Sequence, residues 1–422
     1  MDKMKIAGLV RSLMFCGIIS GIALVTIILP DSSYSDRENR ELQLRPELTG
    51  PSFVSGSFQK KYGQYINDQF IFRDAFAGMA ADVQVFMGKK DINGVYIGKD
   101  GYLIENASGD YDDGQLEDNA AILADFINYA AAEYGADHVR CMMIPSKAEA
   151  LPSKLPAYAD IRENGVTGKL AERLNGKDVL IDLTDTMRGH QDEYIYYRTD
   201  HHWTTLGAGY AYRALLKSLG MDDNVETGIG SMTERYDDFY GTTYNKAQVN
   251  VPADIVYTYK YADDNVTVRM DDGKKYASMY FEEAAVKGFN RYELFFAGNT
   301  FKIEVETKAG MGRTLLLIKD SFANCFVPYL TKDYDRIIMI DYRYGRQAIG
   351  SILDEYEDIS DILVMYNTDK FAANNKLARL SDVRRQADKD TYVPAGSDGD
   401  SGNKSGLEEF DIDDFLSEEL EE

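Results

Sequence analysis

The sequence predicts an α/β fold, with a parallel sheet covered by helices on both faces. Three observations point to it. Five short apolar runs, at residues 139–144, 179–183, 314–318, 336–340 and 362–366, recur with helical segments or loops between them. Near-continuous apolar runs of this length are the pattern of strands buried on both sides. The third run leads directly into Lys319-Asp320-Ser321 and a stretch of helical character reaching about Leu330. Finally, the segment Tyr196-Tyr197-Arg198-Thr199-Asp200-His201-His202-Trp203-Thr204-Thr205 holds two of the four histidines and the single tryptophan, and it opens onto a helical pattern (Leu206, Tyr210, Ala214, Leu215).

The N-terminal stretch stands apart from this body. Leu13 to Leu29 is almost unbroken in apolar residues, with Lys3, Lys5 and Arg11 before it and Pro30 and Asp31 after it. That length is at the short end of a membrane span and is extended by Ile6 to Val10. Basic residues before and an acid after predict a cytoplasmic N-terminus, with everything beyond residue 30 outside the cell membrane. A cleaved signal peptide is the rival reading. The segment Val25-Thr26-Ile27-Ile28-Leu29 lacks a small-x-small cleavage pattern, which favours a retained anchor.

The expected organisation is an anchor over 1–30, a stalk over 31–55, an α/β domain over 56–390 and an acidic tail over 391–422. Within 56–88, aromatic and apolar residues at helical spacing (Phe58, Tyr62, Tyr65, Ile66, Phe70, then Phe76, Met79, Ala80, Val83, Phe86) predict two helices with core-facing apolar sides. Residues 94–104 read as two strands joined through Lys99-Asp100-Gly101, and 115–134 as an amphipathic helix. Alternation at Val256, Tyr257 and Tyr259, at Val266 and Val268, at 292–296 and at 301–305 predicts a β-rich antiparallel insertion over 250–310.

Net charge is −24, and residues 397–422 carry eleven acids and one lysine. The tail composition is that of a disordered segment. The remaining body is still acidic, which argues against nucleic acid as a partner. Of three cysteines, Cys16 falls in the apolar run, while Cys141 and Cys325 read as buried free thiols. Their spacing with four scattered histidines suggests no metal site, and nothing suggests a cofactor.

Two constellations carry chemistry. Asp200 precedes His202 by two residues, the order in which a carboxylate can orient an imidazole acting as general base. An ordinary polar turn capped by Thr204 is the plain alternative. Ser321 follows a buried strand at its carboxyl end, where open parallel sheets bind ligands, and precedes a helix whose first N–H groups are free. A serine there is equally a plain N-cap. Together the two supply a nucleophile, a base and an orienting acid. Further candidates are the Ser321 N–H and the side chains of Asn299 and Asn367 as oxyanion donors, each otherwise a turn residue. Arg343 would bind an anionic group or simply pair with Asp341.

The Asp-His-His-Trp run resembles that of the DHHW protein family. With the late Asp-Ser-Phe, it also resembles the circularly permuted SGNH-hydrolase-like domains of the alginate O-acetyltransferase group. The resemblance covers about 34–367 and implies an SGNH-like fold in which Asp200, His202 and Ser321 are catalytic. His201 could serve as the base on residue chemistry alone; the resemblance selects His202. Lys319 stands where SGNH enzymes commonly have glycine. The implied activity is O-acetyl transfer or acetyl-ester hydrolysis on a cell-surface polysaccharide, with a multispanning membrane acyltransferase as possible donor partner. A non-catalytic glycan-binding or assembly protein on the same fold is the alternative.

Overall fold

The computed structural model describes residues 3–381, except 36–39, 107–111, 158, 160–164, 176, 261–264, 288–289 and 375. The chain divides into two units, Met1–Val383 and Arg384–Glu422. The acidic tail expected over 391–422 lies outside the described residues.

The larger unit begins with helix α1 (Lys3–Ile28). Within it Gly8–Ile28 is long and apolar enough to cross a membrane, the one such helix among the described residues. Helices α2 (Ser57–Asp68) and α3 (Arg73–Phe86) follow, then a small antiparallel sheet of β1 (Asp91–Ile92), β2 (Val95–Ile97) and β3 (Leu103–Glu105). A long helix α4 (Asp113–Tyr134), capped by the Asp112 carboxylate on the Gln115 N–H, leads into the main sheet.

All five apolar runs are strands of that sheet. They are β4 (Val139–Ile144), β5 (Leu180–Asp182), β11 (Thr314–Lys319), β12 (Arg336–Ile340) and β13 (Asp361–Asn367). They pair in parallel in the spatial order β12-β11-β13-β4-β5. The β-rich region contributes to two sheets. Its β8 (Thr267–Met270), β9 (Lys275–Tyr276) and β10 (Lys302–Glu306) extend the main sheet antiparallel beyond β12. Its first strand, β7 (Asp254–Tyr259), instead pairs with β6 (Met232–Phe239).

Side chains alternate along the central strands and fill two cores. Leu315, Leu317, Ile337 and Met339 pack with α6 (Thr205–Ser218), through Leu206, Ala208, Ala211 and Leu215. Leu316, Ile318, Ile338 and Ile340 pack on the other face with α4, α5 (Val166–Arg173) and α9 (Ile349–Glu355). Helix α7 (Thr242–Ala247) packs through Ala247 on the small sheet of β1 to β3, and α8 (Glu282–Lys287) lies within the insertion. The result is a mixed α/β fold with a mostly parallel sheet between two helical layers.

Three local expectations fail, each for a physical reason. The segment after Ser321 is two successive 3-10 turns, Ser321–Cys325 and Val327–Lys332, not an α-helix. Pro328 has no N–H to continue a helix, and the tighter turn keeps Phe322, Phe326 and Tyr329 buried. Residues 292–296 are not a strand: Arg291–Leu294 is a 3-10 turn, and Phe296 and Ala297 have left-handed φ of 60° and 54°, which ends any ladder. Finally, α2 buries no residue, and most large apolar residues of α3 face outward. Their periodicity gives a helix but does not say what covers its apolar side.

Candidate active site

The Asp-His-His-Trp loop is built before it meets anything else. Asp254, fully buried, accepts from the Arg198 and Thr199 N–H groups (both 2.7 Å), from Thr199 Oγ1 (2.6 Å) and from the Tyr194 hydroxyl (2.5 Å). The buried Lys147 ammonium also donates to the carbonyls of Leu103 (2.8 Å) and Asp200. Burial pushes that lysine down to about 8. The side chains of Asp254 and Lys147, both buried, thus clamp the backbone that carries Asp200. Thr204 then caps α6 through the Gly207 N–H, the plain capping role expected of it.

Asp200 has all its acceptor positions engaged. One carboxylate oxygen takes the His202 backbone N–H (3.0 Å) and lies 2.6 Å from His202 Nδ1. The other takes the Thr242 N–H (2.8 Å) and the Thr242 hydroxyl (2.9 Å). Gly241 permits this approach, because a Cβ there would lie 2.2 Å from Asp200 Cβ. Burial alone would raise the Asp200 pKa. The histidines beside it and the hydrogen bonds from His202 outweigh that and hold it well below the usual carboxylate range. An ionised Asp200 fixes the proton of His202 on Nδ1.

The Nε2 of His202 lies 2.7 Å from Ser321 Oγ. Ser321 stands directly beyond the carboxyl end of β11, between the ends of β12 and β13. Sequence-distant contacts lock the two motifs together. Trp203 Nε1 donates to the Phe322 carbonyl (2.9 Å), and Tyr292, stacked on the His202 ring at 3.9 Å, donates its hydroxyl to the Ser321 carbonyl (2.9 Å). Asp320 accepts from the Phe322 and Asn367 N–H groups (2.9 and 2.7 Å), fixing the turn.

His201 has a different environment. Its Nδ1 lies 2.7 Å from Thr242 Oγ1. That hydroxyl already donates to Asp200, which can only accept, so it accepts from His201 Nδ1–H. The lone pair of His201 is therefore on Nε2, and its ring lines a small pocket of about 50 Å³ with Glu105, Lys147, Phe322, Asp369 and Lys370. Burial, and then the adjacent His202, lower its pKa well below the ordinary value. The sign of the linked stability follows. Below about 6.5 the unfolded chain takes up a proton that folded His201 refuses, so stability falls as pH falls toward the folded pKa. Denaturant titrations of His201→Gln should therefore show a flatter decline below about pH 6.5 than the unsubstituted chain.

The remaining candidates divide. Asn367 donates to the Ile144 and Pro145 carbonyls (3.3 and 3.2 Å) and caps helix α10 (Thr368–Ala372). Its amide hydrogens are spent, which removes it as an oxyanion donor. Arg343 forms a two-pronged pair with Asp341 (2.9 and 2.6 Å), the plainer of its two readings. Asn299 accepts from Lys319 Nζ and from Asn324 Nδ2 (both 3.2 Å) through its carbonyl oxygen. Lys319, in the position expected to be glycine, is fully buried, and burial pushes it down to about 8. Its ammonium is held by Asn299, Asn324 (2.8 Å) and, at 3.6 Å, Asp341. Lys319, Asn324, Tyr292, Thr242 and Lys147 were not singled out from sequence for these roles, since each depends on a partner far away in the chain.

Asp200, His201 and His202 also lie close enough to hold a metal ion. Every carboxylate oxygen, both His202 nitrogens and one His201 nitrogen are, however, already hydrogen-bonded within the protein.

With this geometry in hand, the chain can be set beside known proteins. Residues 169–340 match the family model described as DHHW protein. The matched DHHW region contains both motifs. A crystal structure of a DHHW family protein from Eubacterium siraeum is similar at 23% identity and a TM-score of 0.54, covering 69% of this chain and 95% of that one. Bacillus cereus PatB1 is similar at 19% identity and 0.54, covering 66% and 97%. The O-acetyltransferase domain of Pseudomonas putida AlgJ matches at 13% and 0.40 over 69% and 99%, a score too low to carry an argument. No curated protein matches significantly. The likeness to the first two establishes a shared fold.

Proposed function

We propose that this chain is a membrane-anchored, SGNH-like O-acyltransferase or esterase acting on a cell-surface glycan, with Ser321 as nucleophile, His202 as base and Asp200 as its orienter. The observation that carries the reading is the unbroken line Ser321 Oγ–His202 Nε2–His202 Nδ1–Asp200, at 2.7 and 2.6 Å. In the first half-reaction Ser321 Oγ attacks the acyl carbonyl and His202 Nε2 takes the hydroxyl proton. Asp200 stabilises the imidazolium. The Ser321 N–H at the start of its turn, and the amide nitrogen of Asn299, are the proposed donors to the oxyanion. Collapse expels the donor's leaving group, which receives the proton from His202. In the second half-reaction a glycan hydroxyl, or water, gives its proton to His202 and attacks the acyl-serine; as the acyl–oxygen bond breaks, His202 Nε2 returns that proton to Ser321 Oγ, restoring both residues.

The small pocket beside His201 is the proposed contact point for a hydroxyl of the acceptor. Its mixed charges and the free Nε2 lone pair of a neutral imidazole suit hydroxyl groups. His201→Ala should leave hydrolysis of a small acetyl ester within about tenfold of normal. It should raise the apparent KM for a glycan acceptor, because a hydrogen bond to a substrate hydroxyl is worth about 1 kcal/mol or more. A complete loss of ester hydrolysis would instead assign His201 to the base.

In this reading residues 1–30 anchor the chain with its N-terminus in the cytoplasm, 31–55 form a stalk, and 56–390 act outside, where a multispanning acyltransferase could supply the acyl donor. The decisive experiment is acetyl-ester turnover by the full chain and by Ser321→Ala. Equal background rates in both would leave a non-catalytic glycan-binding protein.

A further inference from the structure

We propose that α2 and α3 lie flat on an anionic lipid surface, beside the point where α1 enters the bilayer. Helix α3 has two apolar sides. On one, Ala81 and Val85 pack against a small core of Ile92, Val95, Leu103 and Val249. On the other, Phe72, Phe76, Met79, Val83 and Phe86 form a stripe at alternating spacings of four and three residues, each between 46% and 92% exposed. Helix α2 adds the exposed Tyr62 and Ile66, with Phe58 stacked on Tyr62. A row of large apolar side chains left this exposed along one helix side marks an interaction site.

Two observations name the lipid surface as what covers it. The first is continuity with the membrane helix. The Gln69 side chain, at the end of α2, bonds both the N–H and the carbonyl of Ser32 (2.9 Å each), and Tyr65 donates to Asp31 (3.0 Å). Leu29, one residue past α1, lines the same cavity as Phe70 and Phe72. The stripe thus starts where the apolar span ends. The second is charge. In a chain of net charge −24, residues 57–90 hold Lys60, Lys61, Arg73, Lys89 and Lys90 against Asp68, Asp74 and Asp82. A basic excess flanking apolar stripes is what an anionic headgroup layer attracts. At 14 residues α3 is about 21 Å long, too short to cross a bilayer, so it lies along one.

The test uses the full chain with Cys16→Ser, since Cys141 and Cys325 are buried, reconstituted in phosphatidylcholine–phosphatidylglycerol vesicles. A fluorophore is placed on single cysteines at Phe76, Met79 and Phe86, with Val286, exposed on α8, as the aqueous reference. Spin-labelled lipid should quench the three α3 positions several-fold more than Val286, and acrylamide should reach them less. Labels that acrylamide reaches as readily as at Val286 overturn the proposal. Labels shielded from both quenchers also overturn it: crosslinking between copies would then assign the stripe to a second copy, and its absence to packing within the chain. Sequencing the N-terminus of protein recovered from cells tests retention of α1 separately, so failure of the anchor and failure of the lipid contact are distinguishable.

Discussion

Ser321→Ala and His202→Ala should each lower turnover of a chromogenic acetyl ester by about 10⁴–10⁶-fold, and the double variant should be no worse than either single one. The reason is in the geometry. With Ser321 Oγ 2.7 Å from His202 Nε2, the alkoxide and the proton acceptor are one unit, and removing either member leaves nothing for the other to do. The two variants differ structurally. Ser321→Ala removes one hydroxyl, whereas His202→Ala also removes a ring stacked on Tyr292, so it should be the less stable of the pair. Circular dichroism melts of both, run beside the turnover assay, separate lost chemistry from lost fold. Full activity in either would end the assignment.

Asp200→Asn should cost about 10⁴ in turnover with the fold retained. The carboxylate sits among donors on both sides: the His202 N–H and ring N–H on one oxygen, the Thr242 N–H and hydroxyl on the other. An asparagine amide must point its NH2 group at one of these sets. Facing His202, it forces Nδ1 to accept and moves the imidazole proton to Nε2, where it opposes the Ser321 hydroxyl. Facing Thr242, it keeps the tautomer but loses the anchoring pair and the negative charge that stabilises the imidazolium. Nitrogen-labelled histidine spectra would report the tautomer directly. An unchanged tautomer together with unchanged turnover would show that Asp200 does not act through His202.

Much of this was legible in sequence. The five apolar runs became the five parallel strands because burial on both faces demands uninterrupted apolar residues, and that demand is local. The spacing of Asp200 and His202 was equally legible, since two residues apart in a turn suffice for one carboxylate oxygen to reach both N–H groups of the histidine. The sequence also carried the apolar helix near the N-terminus and both motifs within the matched region 169–340.

Only the tertiary structure decided the rest. Ser321 is 119 residues from His202, and the two meet because β11 lies inside a sheet whose ordering depends on long-range pairing. The fate of Asn367 turned on carbonyls more than 200 residues away, and that of His201 on a threonine 41 residues away whose hydroxyl was already committed. Periodicity showed that α3 is a helix with apolar residues at regular spacing, but which side met the core depended on the small sheet it packs against. Local chemistry and periodicity set which elements form. Hydrogen-bond direction and what lies opposite each face arise only once distant segments compete for the same donors, acceptors and apolar surface.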